Sequence, residues 1–492
     1  MKKFILTLST VFGFIQFCSS QSWSWVNSGG NSDLDAVKNV SIDSSGNSYI
    51  IGVFSQTIFA GANQLTSFGS DDFFIAKYNS LGVLEWARSG GGSSADGYSM
   101  SSATDSVGNT IVALAAIGNV QFGTYNLTNT LNDITLLKYD ATGNLIFARS
   151  YGSNSNDVPI GVALDQQGNI FVAGFFANTI SFGSISLNSF GLTDSYLAKF
   201  DSDGLPIWAK QAGGTSYDAG AGIAIDKYNH VYFTGYFNSN ANFDGQSLSS
   251  SGGDDIFIAS YDSNGNVRWA KSGDGSGAYD IGNKLSCDIN GNVYTIGQFE
   301  DTIAFGGLTS VSNGMLDVFI VKADSSGTFK WLNTYGGPAD DVGYDIDVLE
   351  NGTMYYSGLF NDACAFGSTT LTSIGGMDMF IASNFSDGSM FWVKQEGGPG
   401  DDIARSIEVK NETECYVAGS FSDLVPFNNF NLQSNGLADF FVGKMAAPLS
   451  SVFEIGLNES IAIFPNPAAS GQQIYFEFKN EQGKQFRLEL ID

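Results

Sequence analysis

Residues Asp71–Gly91 read DDFFIAKYNSLGVLEWARSGG, and near copies of this stretch return along the whole chain. Two of them are DSYLAKFDSDGLPIWAKQAGG (Asp194–Gly214) and DIFIASYDSNGNVRWAKSGDG (Asp255–Gly275). An aromatic residue near the end of each copy recurs every 61 or 62 residues, at Trp25, Trp86, Phe147, Trp208, Trp269, Trp331 and Trp392. The Asp that opens each copy keeps the same period, so the two markers together indicate a structural repeat.

Each repeat contains four strand-like runs separated by turn residues such as DSSGN (Asp43–Asn47), which supply the positive φ angles that tight hairpins need. The sequence therefore predicts an all-β fold, a seven-bladed β-propeller of four-stranded blades. The last repeat stops after its third strand, DFFVGKM (Asp439–Met445). The missing fourth strand is SWSWVNSGG (Ser22–Gly30), so we expect the N-terminal strand to close the last blade. A β-solenoid is the rival architecture, but its repeats are mostly shorter.

The ends of the chain lie outside this period. Residues 1–20 combine two lysines with an apolar stretch and small residues before Gln21, as a secretory signal peptide does. We expect the propeller over residues 21–448, a linker over 449–460 and a small separate domain over 461–492. No later run is long or apolar enough to span a membrane, so we expect a mature protein that does not cross one.

The formal net charge of −28 excludes one class of partner. Nucleic-acid binding requires a basic surface, so we expect none. A solvated acidic surface is the simpler explanation of the acidity, which is also compatible with divalent cations.

The repeat pattern F-G-x-x-x-L, D-x-F-I-A-K-Y-D-x-x-G and W-A-K-x-x-G-G resembles the SBBP family of secreted bacterial β-propeller repeats over about residues 22–448. This resemblance implies extracellular binding or scaffolding. In the tail, the stretch around Phe464, Pro465, Asn466 and Pro467 resembles the start of the sorting domain of the type IX secretion system. That resemblance implies a partial β-sandwich, an interaction with the secretion machinery, and a location outside a Gram-negative cell or on its outer-membrane surface.

One Asp lies in each loop after the repeat aromatic, and these loops lead to the innermost strands. We therefore expect the seven carboxylates to cluster around one mouth of the channel, at Asp35, Asp96, Asp157, Asp218, Asp280, Asp341 and Asp402. Carboxylates of this kind bind Ca²⁺ or sugar hydroxyl groups. The alternative is that each Asp caps its own glycine-rich turn by accepting bonds from backbone N–H groups.

The chain has a single histidine, His230, and no arrangement of residues that resembles a catalytic triad. We therefore expect a monomeric, non-enzymatic protein that binds an extracellular polysaccharide or protein. A carboxylate-based glycoside hydrolase or lyase is one alternative, because it needs only two acids in one cleft. A structural surface or matrix component is the other.

Overall fold

The computed structural model describes residues 21–60, 63–446, 462–464, 474–479 and 485–490. All regular elements in these residues are β-strands, so the all-β prediction is confirmed. The contacts divide the chain into two regions, of which one is Gln21–Ala447. The signal peptide (1–20) and the linker (449–460) lie outside the described residues. Among the described residues, no helix has the length and hydrophobicity needed to cross a bilayer.

The strands of residues 21–446 pair antiparallel in repeated four-stranded units, which we number in chain order. The innermost strands are Ala36–Ile42, Met100–Thr104, Asp157–Leu164, Ala219–Ile225, Ile281–Cys287, Val342–Val348 and Ile403–Asn411. The second strands are Ser48–Phe54, Thr110–Ala116, Ile170–Phe182, Val231–Phe243, Val293–Phe299, Met354–Phe360 and Glu414–Phe421. The third strands are Asp72–Tyr78, Asp133–Tyr139, Ile185–Phe200, Gln246–Tyr261, Asp317–Ala323, Asp378–Asn384 and Asp439–Ala446. The outermost strands are Leu84–Gly92, Leu145–Tyr151, Pro206–Gly214, Val267–Gly275, Phe329–Tyr335, Met390–Glu396 and, for unit 7, Ser22–Gly29.

The N-terminal strand completes unit 7, as the sequence predicts. Ser22–Gly29 pairs antiparallel with the third strand of that unit, with Gly29 opposite Phe440. The innermost strands contact one another in the order of the units, and the innermost strand of unit 7 contacts that of unit 1. The units therefore form a closed ring, which fits a β-propeller, and each sheet ends at an outermost strand on the outside of the ring. We call the space enclosed by the innermost strands the channel.

Large side chains fill the space between neighbouring units. The repeat tryptophan of one unit packs against the turn before the outermost strand of the next unit, and Trp86 Nε1 donates to the carbonyl of Ala141 at 3.1 Å. Gly143 in that turn has a φ of +81°, and a Cβ there would lie 2.6 Å from Trp86 Cδ2. Glycine is required at this position for both reasons. The repeat tryptophans thus lie between neighbouring units.

A small hairpin follows each second strand and links neighbouring units. Separate hairpins are Thr57–Ala60 with Asn63–Thr66, Asn119–Phe122 with Tyr125–Thr128, Thr302–Phe305 with Leu308–Val311, Ala363–Phe366 with Thr369–Thr372, and Leu424–Phe427 with Phe430–Gln433. In units 3 and 4 the hairpin continues the second and third strands. The hairpin pairs with the glycine-rich end of the preceding outermost strand, as Phe122 does with Gly90.

The tail contains three short strands, Ala462–Phe464, Ile474–Lys479 and Gln485–Leu490, which pair as one antiparallel sheet. Phe464 ends the first of them. Pro465, Asn466 and Pro467 of the predicted sorting motif lie outside the described residues.

Candidate functional site

The seven predicted aspartates are buried at the start of the innermost strands. Asp218 is 1% exposed and the other six are 0% exposed. In unit 2, Asp96 accepts bonds from the N–H of Gly92 at 2.7 Å and from the N–H of Ile117 at 2.9 Å. Asp218 accepts equivalent bonds from the N–H of Gly214, four residues before it, at 2.7 Å and from the N–H of Asn238, 20 residues after it, at 3.1 Å. Six of the seven carboxylates accept bonds from backbone N–H groups, which agrees with the alternative that these aspartates cap turns.

The bonding of these caps varies in detail. Both donors are present at Asp35, Asp341 and Asp402. In the part of the chain that the structure describes, Asp280 accepts a bond from the N–H of Glu300 alone, at 2.9 Å. Asp157 is the exception, since neither of its carboxylate oxygens has a hydrogen-bond partner among the described residues.

The residue four positions before Asp157 is Ser153. Ser153 takes the position that a glycine holds beside Asp96 and Asp218, and its N–H donates to Asp133 at 3.3 Å. Burial raises the pKa of Asp157 to about 7, and the nearby Ser153 offsets only part of this effect.

Each capping aspartate lies close to the Asp that opens a third strand. The N–H of Gly92 shows this directly, because it donates to Asp96 at 2.7 Å and to Asp72 at 3.2 Å. Burial is the main cause that raises the pKa of Asp72 to about 6, and the charge of Asp96 adds to it. Within the described residues, no three acidic, histidine or cysteine side chains converge as metal ligands do. A role of the seven aspartates in Ca²⁺ binding therefore stays a prediction without a formed site.

His230 replaces an asparagine of the repeat. In unit 1, Asn47 Nδ2 donates to Asp43 Oδ2 at 2.7 Å across the turn after the innermost strand. In unit 4, His230 Nδ1 lies 2.8 Å from Asp226 Oδ2 in the equivalent turn. The histidine thus makes the turn contact that asparagine makes elsewhere, which is a structural use of its ring.

The loops before the innermost strands and the loops before the third strands meet at one end of the units, which we call the loop face. For example, the N–H of Asp218 donates to the carbonyl of Thr193 at 3.0 Å, and the N–H of Asp35 donates to that of Ala438 at 2.9 Å. Large apolar side chains on this face are each more than half exposed, namely Leu34, Phe68, Tyr98, Phe190, Leu192, Tyr217, Tyr279, Met315, Ile374 and Leu437.

Some of these apolar side chains are neighbours. The N–H of Leu192 donates to the carbonyl of Ser216 at 3.2 Å, beside Tyr217. Leu34 bridges to Ala438, next to Leu437. Exposed apolar groups that adjoin one another in this way are typical of interaction sites, whereas isolated ones are ordinary.

The channel breaks the symmetry of the repeat. At the position three residues after the capping aspartate (four in unit 2), the units carry Lys38, Met100, Ile160, Ala221, Asn283, Tyr344 and Arg405 in order. We call this set the upper ring. Apart from Met100, these side chains keep partial exposure on strands that the ring encloses, so they face the channel. One side of the upper ring is cationic and aromatic, and the other side is apolar.

Acidic groups lie further along the same strands. Asp345 accepts from the N–H of Ile407 at 3.0 Å, and Asp347 accepts from the N–H of Val409 at 2.9 Å, so both join units 6 and 7. Glu408 has no such bond to its carboxylate among the described residues, and it lines an open depression of about 400 Å³.

The ring of strands encloses Asp347 and Glu408, although water reaches part of each side chain. Burial raises the pKa of Asp347 to about 6, and Asp345 adds to the shift. The pKa of Glu408 lies well above its usual range because of burial and then of Asp347, while Lys284 opposes this effect.

The charged channel is not among the sites predicted from the sequence. The signal for the channel is present, because AGAGIAID (Ala219–Asp226) is apolar where VGYDIDV (Val342–Val348) and IARSIEVKN (Ile403–Asn411) carry charge. The positions at which the repeats differ therefore indicate the charged channel.

No protein-family model matches the chain. It is 25% identical over 343 residues to the regulatory protein FlaEY of Caulobacter vibrioides, covering 65% of this chain and 36% of that protein. It is 21% identical over 499 residues to an uncharacterized WD repeat-containing protein of Acanthamoeba polyphaga mimivirus, covering 81% of this chain and 36% of that protein. The chain thus spans little more than a third of the length of these relatives.

Two solved structures are similar to this chain at low identity. One is a gluconolactonase of Xanthomonas campestris, with a TM-score of 0.33 and 8% identity, covering 70% of this chain and 96% of that chain. The other is an ulvan lyase of polysaccharide lyase family PL25, with a TM-score of 0.38 and 11% identity, covering 80% of this chain and 93% of that chain.

Proposed function

We propose that this protein is an exported β-propeller that binds an extracellular partner, in the first place a polysaccharide, through the loop face. The observation that carries the proposal is the set of exposed tyrosine, phenylalanine and aliphatic side chains on that face. Tyrosine presents a large and rigid contact surface with one polar end, and it loses little conformational entropy on binding. Such groups suit the mixed apolar and hydroxyl surface of a sugar ring.

The scaffold beneath the loop face favours binding over catalysis. The loops are held by the buried caps and by the bonds between neighbouring loops, so their exposed side chains are positioned before a partner arrives. Preorganisation of this kind lowers the cost of association. The signal-peptide pattern and the tail support export, and the net charge of −28 disfavours nucleic acid as the partner.

The test is a glycan-array screen of residues 21–448, run once with Ca²⁺ and once with EDTA, followed by calorimetry on any glycan that binds. We expect selective binding that Tyr217→Ala or Tyr279→Ala weakens about tenfold or more, as for a tyrosine hot spot. Tyr228→Ala is the matched control, because Tyr228 is 61% exposed but lies in a turn at the opposite end of its strand.

Other outcomes would redirect the proposal. Absence of glycan binding in both conditions would overturn the polysaccharide and leave a protein partner or a structural surface role. Binding that disappears in EDTA would support a bound Ca²⁺. The alternative of a glycoside hydrolase or lyase would use Glu408 and Asp347 as its acids, because they lie on adjacent innermost strands and Asp347 accepts a bond from the N–H of Val409, next to Glu408. Cleavage of a bound glycan that Glu408→Gln abolishes would establish that alternative.

A further inference from the structure

The upper ring of the channel places two cations side by side. Lys38 and Arg405 lie on the innermost strands of units 1 and 7, which contact each other. The following residues of the two strands are bonded, with Asn39 Nδ2 donating to Ser406 Oγ at 2.9 Å. The charge of Arg405 lowers the pKa of Lys38, after the larger effect of burial.

These cations lack a partner of opposite charge. Among the described residues, neither the ammonium of Lys38 nor the guanidinium of Arg405 forms an ion pair or a hydrogen bond to another group. Asp71 attracts Lys38 but does not form an ion pair with it. The chain has 50 acidic and only 22 basic residues, so two unpaired neighbouring cations are an unusual arrangement in this protein.

The neighbours of the pair define the shape of the site. The guanidinium of Arg405 lies over the ring of Tyr344, with its Cζ 4.3 Å from the ring centroid, and this contact holds its position. Across the channel the upper ring is apolar, with Ile160 and Ala221. Asn283 adds an amide beside Tyr344, and its Nδ2 donates to the carbonyl of Gly343 at 2.9 Å.

We propose that the upper ring binds a small organic carboxylate, with its anionic group between Lys38 and Arg405 and its carbon skeleton toward the apolar side. Arginine and lysine form strong charge-assisted hydrogen bonds to carboxylates, and a channel wall of low polarity strengthens them. This site is independent of the loop-face function, because it needs neither the exposed tyrosines nor a polymer.

The test is calorimetry of the full chain at pH 7 with three probes, which are galacturonate, galactose and inorganic sulfate. We expect saturable binding of galacturonate and much weaker binding of galactose, which differs from it in lacking the carboxylate. Sulfate that displaces galacturonate would support a common anion site. Absence of galacturonate binding, equal binding of galactose, or sulfate binding without displacement would each overturn the proposal.

Variants locate the site. Lys38→Met and Arg405→Gln should each weaken galacturonate binding about tenfold or more. Lys227→Gln, in an exposed turn outside the channel, should leave it unchanged. Circular dichroism confirms that each variant is folded. If one of the two channel variants fails to fold, the other still tests the site. Undiminished galacturonate binding by either folded variant would contradict the assignment.

The pH dependence of galacturonate binding is a second readout. It would not change if Lys38 had only a structural role. Burial lowers the pKa of Lys38 to about 8. The charged groups that act on it are Arg405 and Asp71, and Asp345, Asp347, Glu408 and Lys284 lie further along the channel. Binding by the natural protein should therefore weaken between pH 7 and pH 9, and this dependence should be absent in Lys38→Met.

Discussion

At the scale of single residues, the seven buried aspartates show how one side chain can define a loop. A carboxylate taken out of water loses solvation, and only hydrogen bonds or a proton can compensate it. Asp218 receives two backbone N–H groups, yet burial still raises its pKa to about 7. The carboxylate therefore stabilises the geometry of its loop.

We predict that Asp218→Ala lowers the free energy of unfolding by about 2–4 kcal/mol, because the N–H groups of Gly214 and Asn238 lose their acceptor. Denaturant unfolding monitored by tryptophan fluorescence measures this. Asp203→Ala, at an exposed turn position in the neighbouring unit, is the control and should change little. Unchanged stability of Asp218→Ala, together with lost Ca²⁺ or glycan binding, would instead identify Asp218 as a ligand-binding residue.

At the scale of elements, the glycine-rich end of each outermost strand packs against three groups. These are the hairpin of the next unit, the capping aspartate and the aspartate of the third strand. At Gly213 a Cβ would lie 2.7 Å from Asp194 Cγ and 2.9 Å from Asp218 Oδ2. The backbone conformation there is ordinary, so lack of space is the reason for glycine.

Gly213→Ala should therefore lower the free energy of unfolding by about 1–3 kcal/mol, since added volume in a packed site forces its neighbours to move. Gly307→Ala is the matched control, because a Cβ at Gly307 would have no atom within 4 Å. At Gly307, alanine restricts the conformations of the unfolded chain, so the free energy of unfolding should stay equal or rise slightly. Thermal unfolding of both variants tests the comparison, and equal destabilisation of the two would refute the role of space.

At the scale of the whole molecule, the buried acid pairs repeat around the ring and act together on stability. Burial is the leading cause that raises the pKa of Asp35, Asp255 and Asp317 to about 6, and of Asp280, Asp341 and Asp402 to about 7. Between pH 4 and pH 7 the folded protein thus holds protons that the unfolded chain has released. Under linkage, stability must fall as pH rises through this window.

We predict that the free energy of unfolding is higher at pH 5 than at pH 8, by at least about 2 kcal/mol. Carboxyl groups whose pKa is lowered, such as Asp140 with a pKa of about 2, contribute equally to the free energy of unfolding at pH 5 and at pH 8. Chemical denaturation of the full chain at the two pH values measures the difference. Stability that rises toward pH 8 would mean that the carboxylates are ionised and compensated. Millimolar Ca²⁺ that removes the difference at pH 8 would identify the cation that compensates them.

Several features of the fold follow from the sequence through local physics. The period of the aromatic and aspartate markers predicts the repeated unit, and the turn residues predict four strands in it. The missing last strand and the matching segment Ser22–Gly30 predict closure. The repeat aromatics lie between units because a large apolar side chain kept at one position must be buried by the repeat next to it.

The candidate sites depend on information that the linear pattern lacks. Burial of Asp218 and exposure of Tyr217 are opposite outcomes for adjacent residues, and only the pairing of two loops decides them. Lys38 and Arg405 are far apart in the chain and become neighbours only when unit 7 meets unit 1.

The sequence by itself thus determined the repeat, its strands and its closure, because hydrophobic period and turn chemistry act over a few residues. The tertiary structure alone decided which carboxylates are buried, which aromatic side chains are exposed and which charges meet in the channel. The physical reason is that burial and electrostatic environment depend on contacts between units, and those contacts exist only in the closed ring.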